Sequence, residues 1–335
     1  VALASIVKVK RATAMKPKWI IEKELFRGDD PDAMAAIVRS KGMECVRVQY
    51  VPMSDSFEVS DASGHRKLYS SNMPYLDGEC VVVIGSLNLC RALCSPRRWT
   101  PTAWFNLENL RCSSYYANWK DLLLQTEYQF CRWGDLRAEK DSFYERLGAD
   151  GCIFIKPDEN LKMFSGSVVP IEKFDHWAEM NKDCYEIPDD AQIVVARPLR
   201  IGGEWRFVIC RGEVIAGSMY KENGRPSSQP GFTAEAREVA EKIAKHSWQP
   251  DSVYVADVCS CGDGHFLLEC GPFNGAGLYK CDLEPIVEKI SVQAILEWTC
   301  EQVKKSGIES RSLMEELDMF PDEGKEEACR TSSAT

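Results

Sequence analysis

Two carboxylates stand inside strands that are otherwise apolar, and no other feature constrains the fold as much. Asp257 sits in Val255-Ala-Asp-Val258, and Glu269 follows in Leu267-Leu-Glu-Cys270. Between them, Cys261-Gly-Asp-Gly264 is a turn that closes the two strands into a hairpin. An acid within an apolar strand is costly unless it is paired or binds a cation. The fold must therefore bring a compensating group to this hairpin. Asn274 follows in a Gly/Pro loop that continues into Gly275-Ala-Gly277. Two carboxylates and an amide oxygen are hard donors of the kind Mg2+ takes. The other reading is that Asp257 caps a local turn while Glu269 faces water.

Two earlier segments carry cations. In Phe154-Ile-Lys-Pro157, Lys156 ends an apolar strand, and Pro157 stops the ladder and fixes the exit. Lys162 follows, then the small residues Ser165, Gly166 and Ser167. Small residues let backbone N–H groups approach an anion, and lysines supply the matching charge. This reads either as a phosphate-cradling loop or as a snorkelling lysine beside an ordinary turn. In Ala196-Arg-Pro-Leu-Arg-Ile-Gly-Gly-Glu-Trp-Arg206, strand periodicity places Glu204 and Arg206 on one face. They suit a ribose and a phosphate, or else form a surface ion pair of little value.

The N-terminal third has a β-α-β texture. Trp19 to Phe26 reads as a strand, Pro31 to Lys41 as a helix, and Cys45 to Val51 as a second strand. Cys80 to Gly85 contains the β-branched run Val81 to Ile84, and a helix follows over Leu87 to Leu93. A small α/β lobe with parallel pairing is expected. The material up to Leu147 is mostly helical, and its aromatic-rich stretch from Trp104 to Trp133 reads as core or else as a platform for substrate. Beyond Gly151 the pattern is antiparallel. Trp205–Cys210 and Val214–Tyr220 form a hairpin about Arg211-Gly212. Thr233 caps a helix with Ala236, Val239, Ala240 and Ile243 on one face. Ile286, Ile290, Ala294 and Trp298 make the seam of a last long helix. This half is α+β.

Composition excludes several function classes. The net charge of the 335 residues is -10, against a broad nucleic-acid surface. No apolar run is long enough to span a bilayer as a helix. The 15 cysteines show no C-x-x-C pair, and the 4 histidines no finger spacing, so a structural zinc site is not expected. The cysteines read as small buried hydrophobes in a reducing, cytoplasmic setting. Residues 1–14 are read as an unstructured leader, and 305–335 as an acidic tail with a short helix.

The order of these elements resembles the ATP-grasp superfamily, and within it the clade of ligases named for two arginines and a lysine. The likeness rests on Phe154-Ile-Lys-Pro157 with Lys162 to Gly166, on Glu204-Trp-Arg206, and on Glu269 through Tyr279. It implies an ATP-grasp domain over 115–304, two α+β subdomains clasping ATP, preceded by an α/β pre-grasp domain over 15–114. By the same likeness, Lys156 would touch adenine or the α-phosphate. Lys162, Ser165 and Gly166 would close over the β- and γ-phosphates, and the Ala196 backbone would read adenine. Glu204 would bind ribose, Arg206 and Lys221 would neutralise phosphate, and Asp257, Glu269 and Asn274 would hold Mg2+. One position departs from the commonest pattern: Gly271 stands where an Asn is usual, and Asn274 is expected to take its place.

Such folds activate a carboxylate as an acyl phosphate that an amine attacks. The expected partners are thus ATP, a carboxylate substrate and an amine acceptor, with no membrane and no nucleic acid. Arg206, Lys162 and Lys221 are the expected catalytic cations. Two other readings stay open. A nucleotidyl transferase would use Lys156 as the nucleophile, and a binding module would hold nucleotide without turning it over.

Overall fold

The computed structural model describes residues 15–23, 30–51, 53, 56–60, 66–69, 75–95, 98–159 and 163–306. The first sheet comprises β1 (Lys18–Glu22), β2 (Cys45–Val51), β3 (Ser56–Ser60), β4 (Arg66–Tyr69), β5 (Cys80–Ile84) and β6 (Thr100–Thr102), in the order β4-β3-β2-β1-β5-β6. β1 runs parallel to β2 and β5, and β5 parallel to β6. A strand buried on both faces needs no polar alternation, which is why Val81 to Ile84 reads as an unbroken apolar run. Two helices pack here, α1 (Pro31–Ser40) and α2 (Leu87–Cys94). Asp30 caps the first through the Ala33 N–H at 2.8 Å, and Ser86 caps the second through the Leu89 N–H at 3.3 Å.

Helix α3 (Cys112–Trp119) leads into the second sheet. That sheet is antiparallel, with β7 (Tyr128–Arg132), β8 (Cys152–Pro157), β9 (Ser167–Pro170) and β10 (Gln192–Ala196) in the order β7-β10-β8-β9. Helices α4 (Trp133–Ala138), α5 (Lys140–Leu147) and α6 (Phe174–Tyr185) cover one face. Ile153, Ile155, Ile193 and Val195 pack there against Trp133, Phe143 and Phe174. Phe154 and Lys156 alternate with these residues and so point the other way.

The third sheet is built from β11 (Gly203–Cys210), β12 (Glu213–Glu222), β13 (Arg225–Pro230), β14 (Val253–Cys261) and β15 (Gly264–Pro272). Its order is β13-β12-β11-β14-β15, antiparallel throughout. Helix α7 (Ala234–Ala244) buries Ala236, Val239, Ala240 and Ile243 against Trp205, Phe207, Tyr254 and Val258. Helix α8 (Leu283–Lys305) covers part of the opposite face. Its Ile286, Val287, Ile290 and Ala294 share one core with Val208, Cys210, Val253 and Val255, and with Trp19, Ile21, Val82 and Ile84 of the first sheet. Each such buried side chain contributes roughly 1.5–3 kcal/mol. The face under α8 continues along β11 to Arg206 and Glu204, and along β14 to Asp257. It passes from sealed core to open cleft, so the acids appear in the strands where the helix cover ends.

Several elements were not expected from sequence. β9 and β13 are edge strands, one ending in Pro170 and the other carrying Pro226 and Pro230, which weakens any strand pattern. Pro157 was expected to end the ladder and is the last residue of β8, still aligned with Ile193. The expected strand from Trp19 to Phe26 is β1 as far as Glu22, and residues 24–29 lie outside the described residues. So do the leader over 1–14 and the tail over 307–335. The described cysteines are all free thiols, and no described helix is long and apolar enough to cross a membrane.

A cavity of about 770 Å³ lies between α8 and the β11–β12 turn. Its acids serve the architecture. Asp251 accepts the N–H groups of Asn106 at 3.1 Å and Ser252 at 2.8 Å, while Glu297 accepts Trp104 Nε1–H at 2.8 Å. Burial pushes the Asp251 carboxyl up to about 6, its two N–H donors pull it back, and nearby Glu297 adds to the rise. A carboxyl raised on folding favours the native state below its unfolded pKa, and that contribution is lost as pH rises through the folded value. The stability advantage of wild type over Asp251→Asn should therefore shrink by on the order of 2 kcal/mol between pH 4 and pH 7. Urea unfolding of both proteins across that range measures it, and a constant difference would remove Asp251 from this role.

Candidate functional site

The second and third sheets face each other across a cleft of about 320 Å³. From the second sheet, β8 presents Phe154 and Lys156. Lys156 Nζ donates to Tyr115 Oη at 3.2 Å and stands 5.9 Å and 6.0 Å from the ring centres of Tyr115 and Tyr116. Those rings come from α3, which Asp158 holds against the end of β8. Asp158 accepts the Ser113 N–H at 2.7 Å and the Ser113 hydroxyl at 3.0 Å, and its own carbonyl accepts the Cys112 N–H at 2.8 Å. Burial of the Lys156 ammonium opposes its charge, but the Cys112 thiol, the Tyr116 phenol and the Glu269 carboxylate outweigh that and raise its pKa.

The third sheet supplies a row of charges by register. Arg206 lies opposite Asp257 on β14, and Asp257 opposite Glu269 on β15, while Glu204 lies opposite Lys221 on β12. Two register shifts then add side chains to the same face. On β12, Tyr220 is the extra residue between Met219 and Lys221, so Tyr220 and Lys221 both reach the cleft. On β15, Leu268 is the extra residue beside Glu269, and both line the cleft. Leu267 is turned into the core beneath.

Within this row the partners are close. Arg206 binds Asp257 with two parallel bonds, Nε to Oδ1 at 2.8 Å and Nη2 to Oδ2 at 2.7 Å, and Nη1 donates to the Gly277 carbonyl at 3.0 Å. Its guanidinium also stands 5.5 Å from the Tyr220 ring centre and 5.2 Å from that of Tyr279. The Tyr220 hydroxyl donates to Glu204 at 2.7 Å and approaches Asp257 at 3.3 Å. Burial and then the carboxylates of Asp257 and Glu204 keep that phenol protonated, well above the usual tyrosine range. Lys221 Nζ lies 3.1 Å from Glu204.

The structure thus gathers Lys156, Ser165, Gly166, Glu204, Arg206, Lys221, Asp257 and Glu269 around one cleft. Gly166 lies against β8, where an added Cβ would stand 3.0 Å from the Phe154 ring and 3.4 Å from Lys156 Cβ. Lys162 lies outside the described residues. Two of the expected residues do not line the cleft. Asn274 is buried away from the cleft: its Oδ1 accepts the Trp104 N–H at 2.7 Å, and its amide donates to the Val83 carbonyl. It ties the loop after β15 to the first sheet and is not placed as a metal ligand. Ala196 is buried in the central strand of its sheet, between Tyr128 and Phe154, and does not line the cleft. Tyr115, Tyr116, Gln125 and Tyr220 are not singled out by the sequence. An aromatic residue at helical or strand spacing carries no sign that it fronts a cleft, and Tyr220 reads there only as the end of a strand.

The donor set suits a hard cation in part. Asp257 and Glu269 present carboxylates on adjoining strands, the chemistry Mg2+ takes. Among the described residues Glu269 has no hydrogen bond or ion pair, whereas both oxygens of Asp257 are held by Arg206. No group of 3 or more His, Cys, Asp or Glu among the described residues is gathered as a metal cluster.

Residues 134–288 match a family model of the ATP-grasp domain, the second family of the clade named for two arginines and a lysine. No curated protein matches the sequence. Among solved structures, D-cycloserine synthetase DcsG is similar over 82% of this chain and 99% of its own, at a TM-score of 0.55 and 11% identity. D-alanine–D-alanine ligase from Bacillus anthracis is similar over 87% and 99%, at 0.51 and 11%. The ATP-grasp ligase PsnB complexed with a minimal precursor is similar over 84% and 100%, at 0.50 and 14%. At these identities the likeness is one of fold: two α+β subdomains facing across a cleft. The family match over 134–288 and the shared fold together support an ATP-grasp placement for that part of the chain.

Proposed function

We propose that the chain is an ATP- and Mg2+-dependent ligase that joins a carboxylate to an amine through an acyl phosphate. The substrate class is an amino-acid, peptide or protein carboxylate, and the setting is the cytoplasm. One observation carries this reading: Lys156 from one sheet meets Arg206, Lys221 and Glu269 from the other in a single cleft. Phosphoryl transfer spreads negative charge over phosphate oxygens, so its catalysis is largely positioned positive charge. Lys156, Arg206 and Lys221 supply that charge here, Glu204 accepts from ribose hydroxyls, and the Ser165 and Gly166 backbone closes over phosphate. Glu269, with Asp257 once Arg206 yields an oxygen, would hold Mg2+. The ion would supply positive charge to offset that of the phosphates. The Lys162 role rests on the family resemblance.

In the reaction, a carboxylate oxygen attacks the γ-phosphorus and ADP leaves. The amine then attacks the acyl carbon and inorganic phosphate leaves. Incubation with Mg-ATP, candidate carboxylates and hydroxylamine tests this. Hydroxamate formation matched by ADP and phosphate release is expected, whereas release of AMP and pyrophosphate would exclude an acyl phosphate. A nucleophilic Lys156 would need the neutral amine, and its surroundings favour the ammonium. The reading as a binding module without turnover draws on Asn274, which faces away from the cleft. Nucleotide binding without hydroxamate for any carboxylate would favour it.

A further inference from the structure

Gln125 is among the residues lining the cleft, yet its Oε1 is buried and has no hydrogen-bond partner among the described residues. Gln125 is 8% exposed. A buried acceptor left unpaired costs about 1–3 kcal/mol, and such groups in native proteins call for a reason. Its position supplies one. Leu124, the preceding residue, donates its N–H to the Leu267 carbonyl at 2.9 Å on the third sheet. Three positions on, Tyr128 pairs with Ala196, which pairs with Phe154 on the second sheet. Gln125 therefore stands where the chain crosses from one sheet to the other, and Phe154, Ile201 and Leu268 line the same cleft with it. The charged row of Arg206, Lys221 and Asp257 lies on the third sheet. A flat aromatic base suits such apolar lining, and its polar edge can then meet the Gln125 amide.

We infer that Gln125 is the residue that reads the base, its carboxamide pairing with the 6-amino donor and an adjacent ring nitrogen of adenine. A carboxamide carries an acceptor beside a donor, and the adenine edge offers the reverse order. This rests on the nucleotide reading of the cleft, which the experiment separates from it. Affinities of wild type and Gln125→Leu are measured by titration with Mg-ATP and with purine riboside triphosphate, which lacks the 6-amino group. Wild type should prefer ATP by about tenfold, the worth of one hydrogen bond to a buried group. In Gln125→Leu that ratio should fall to near 1, while its melting temperature without ligand is unchanged or higher, since an unpaired acceptor has been removed.

Equal wild-type affinity for the two nucleotides overturns the inference without any variant. So does a tenfold preference that persists in Gln125→Leu, or in Gln125→Met if the leucine protein does not fold. Binding of neither nucleotide by wild type overturns the nucleotide reading itself, and the inference with it.

Discussion

Replacing Arg206 by methionine should cost the ligand-free protein about 3–5 kcal/mol of stability, because it strands a buried carboxylate. The Asp257 side chain is 3% exposed, and Arg206 provides both of its short bonds. The remaining contact from Tyr220, at 3.3 Å, is shared with Glu204 and carries no charge. Lys221 is committed to Glu204 and lies across the strand from the gap. Urea unfolding of Arg206→Met measures the loss. The double variant Arg206→Met with Asp257→Leu should regain most of it, since apolar replacement of a buried pair is often neutral. A loss under about 1 kcal/mol in the single variant would mean that the pair behaves as a surface contact.

Lys156→Met should lower Mg-ATP affinity roughly a hundredfold while leaving the fold intact, the scale of one charge-assisted hydrogen bond lost in a closed site. The aliphatic stem packs beside Phe154 and Gly166, and methionine keeps much of that volume. Its ammonium meets Tyr115 Oη, the Cys112 thiol and the faces of two rings, with the charge of Glu269 more distant, and none of these is a paired carboxylate that a phosphate would have to displace. Titration calorimetry with a parallel thermal melt checks both halves. Unchanged affinity would take Lys156 out of the site. Lost affinity together with a collapsed melt would make its role structural.

What the sequence revealed follows the range of the interactions involved. The hairpins and caps are local: Thr233 accepts the Ala236 N–H at 3.2 Å, and Arg211 and Gly212 turn with φ of 52° and 76°. Their signals lie within a few residues, and they were read as they stand. Placing Glu204 and Arg206 on one face needed only strand alternation, and the hairpin put Asp257 and Glu269 on neighbouring strands, but their direct pairing depends on the bulge at Leu268. Alternation also misleads where a bulge resets it. Counted from Ser218, Tyr220 falls on the cleft face and Lys221 on the other, whereas the inserted residue brings both forward. Asn274 was misread for another reason. Its spacing after Glu269 fits a ligand loop, but its partners, Val83 and Trp104, are 191 and 170 residues away in the chain. Tyr115, Tyr116 and Gln125 reach the cleft through an Asp158 cap and a crossing between sheets, contacts that leave no local pattern.

Titration of the full chain with ATP, in the presence and absence of Mg2+ and beside Glu269→Gln, tests most directly whether the two sheets clasp a nucleotide together. Wild type should bind ATP at one site per chain, more tightly with Mg2+, and Glu269→Gln should lose the Mg2+ dependence while still binding weakly through Lys156. Absence of binding by wild type, or an affinity indifferent both to Mg2+ and to Glu269, would contradict it.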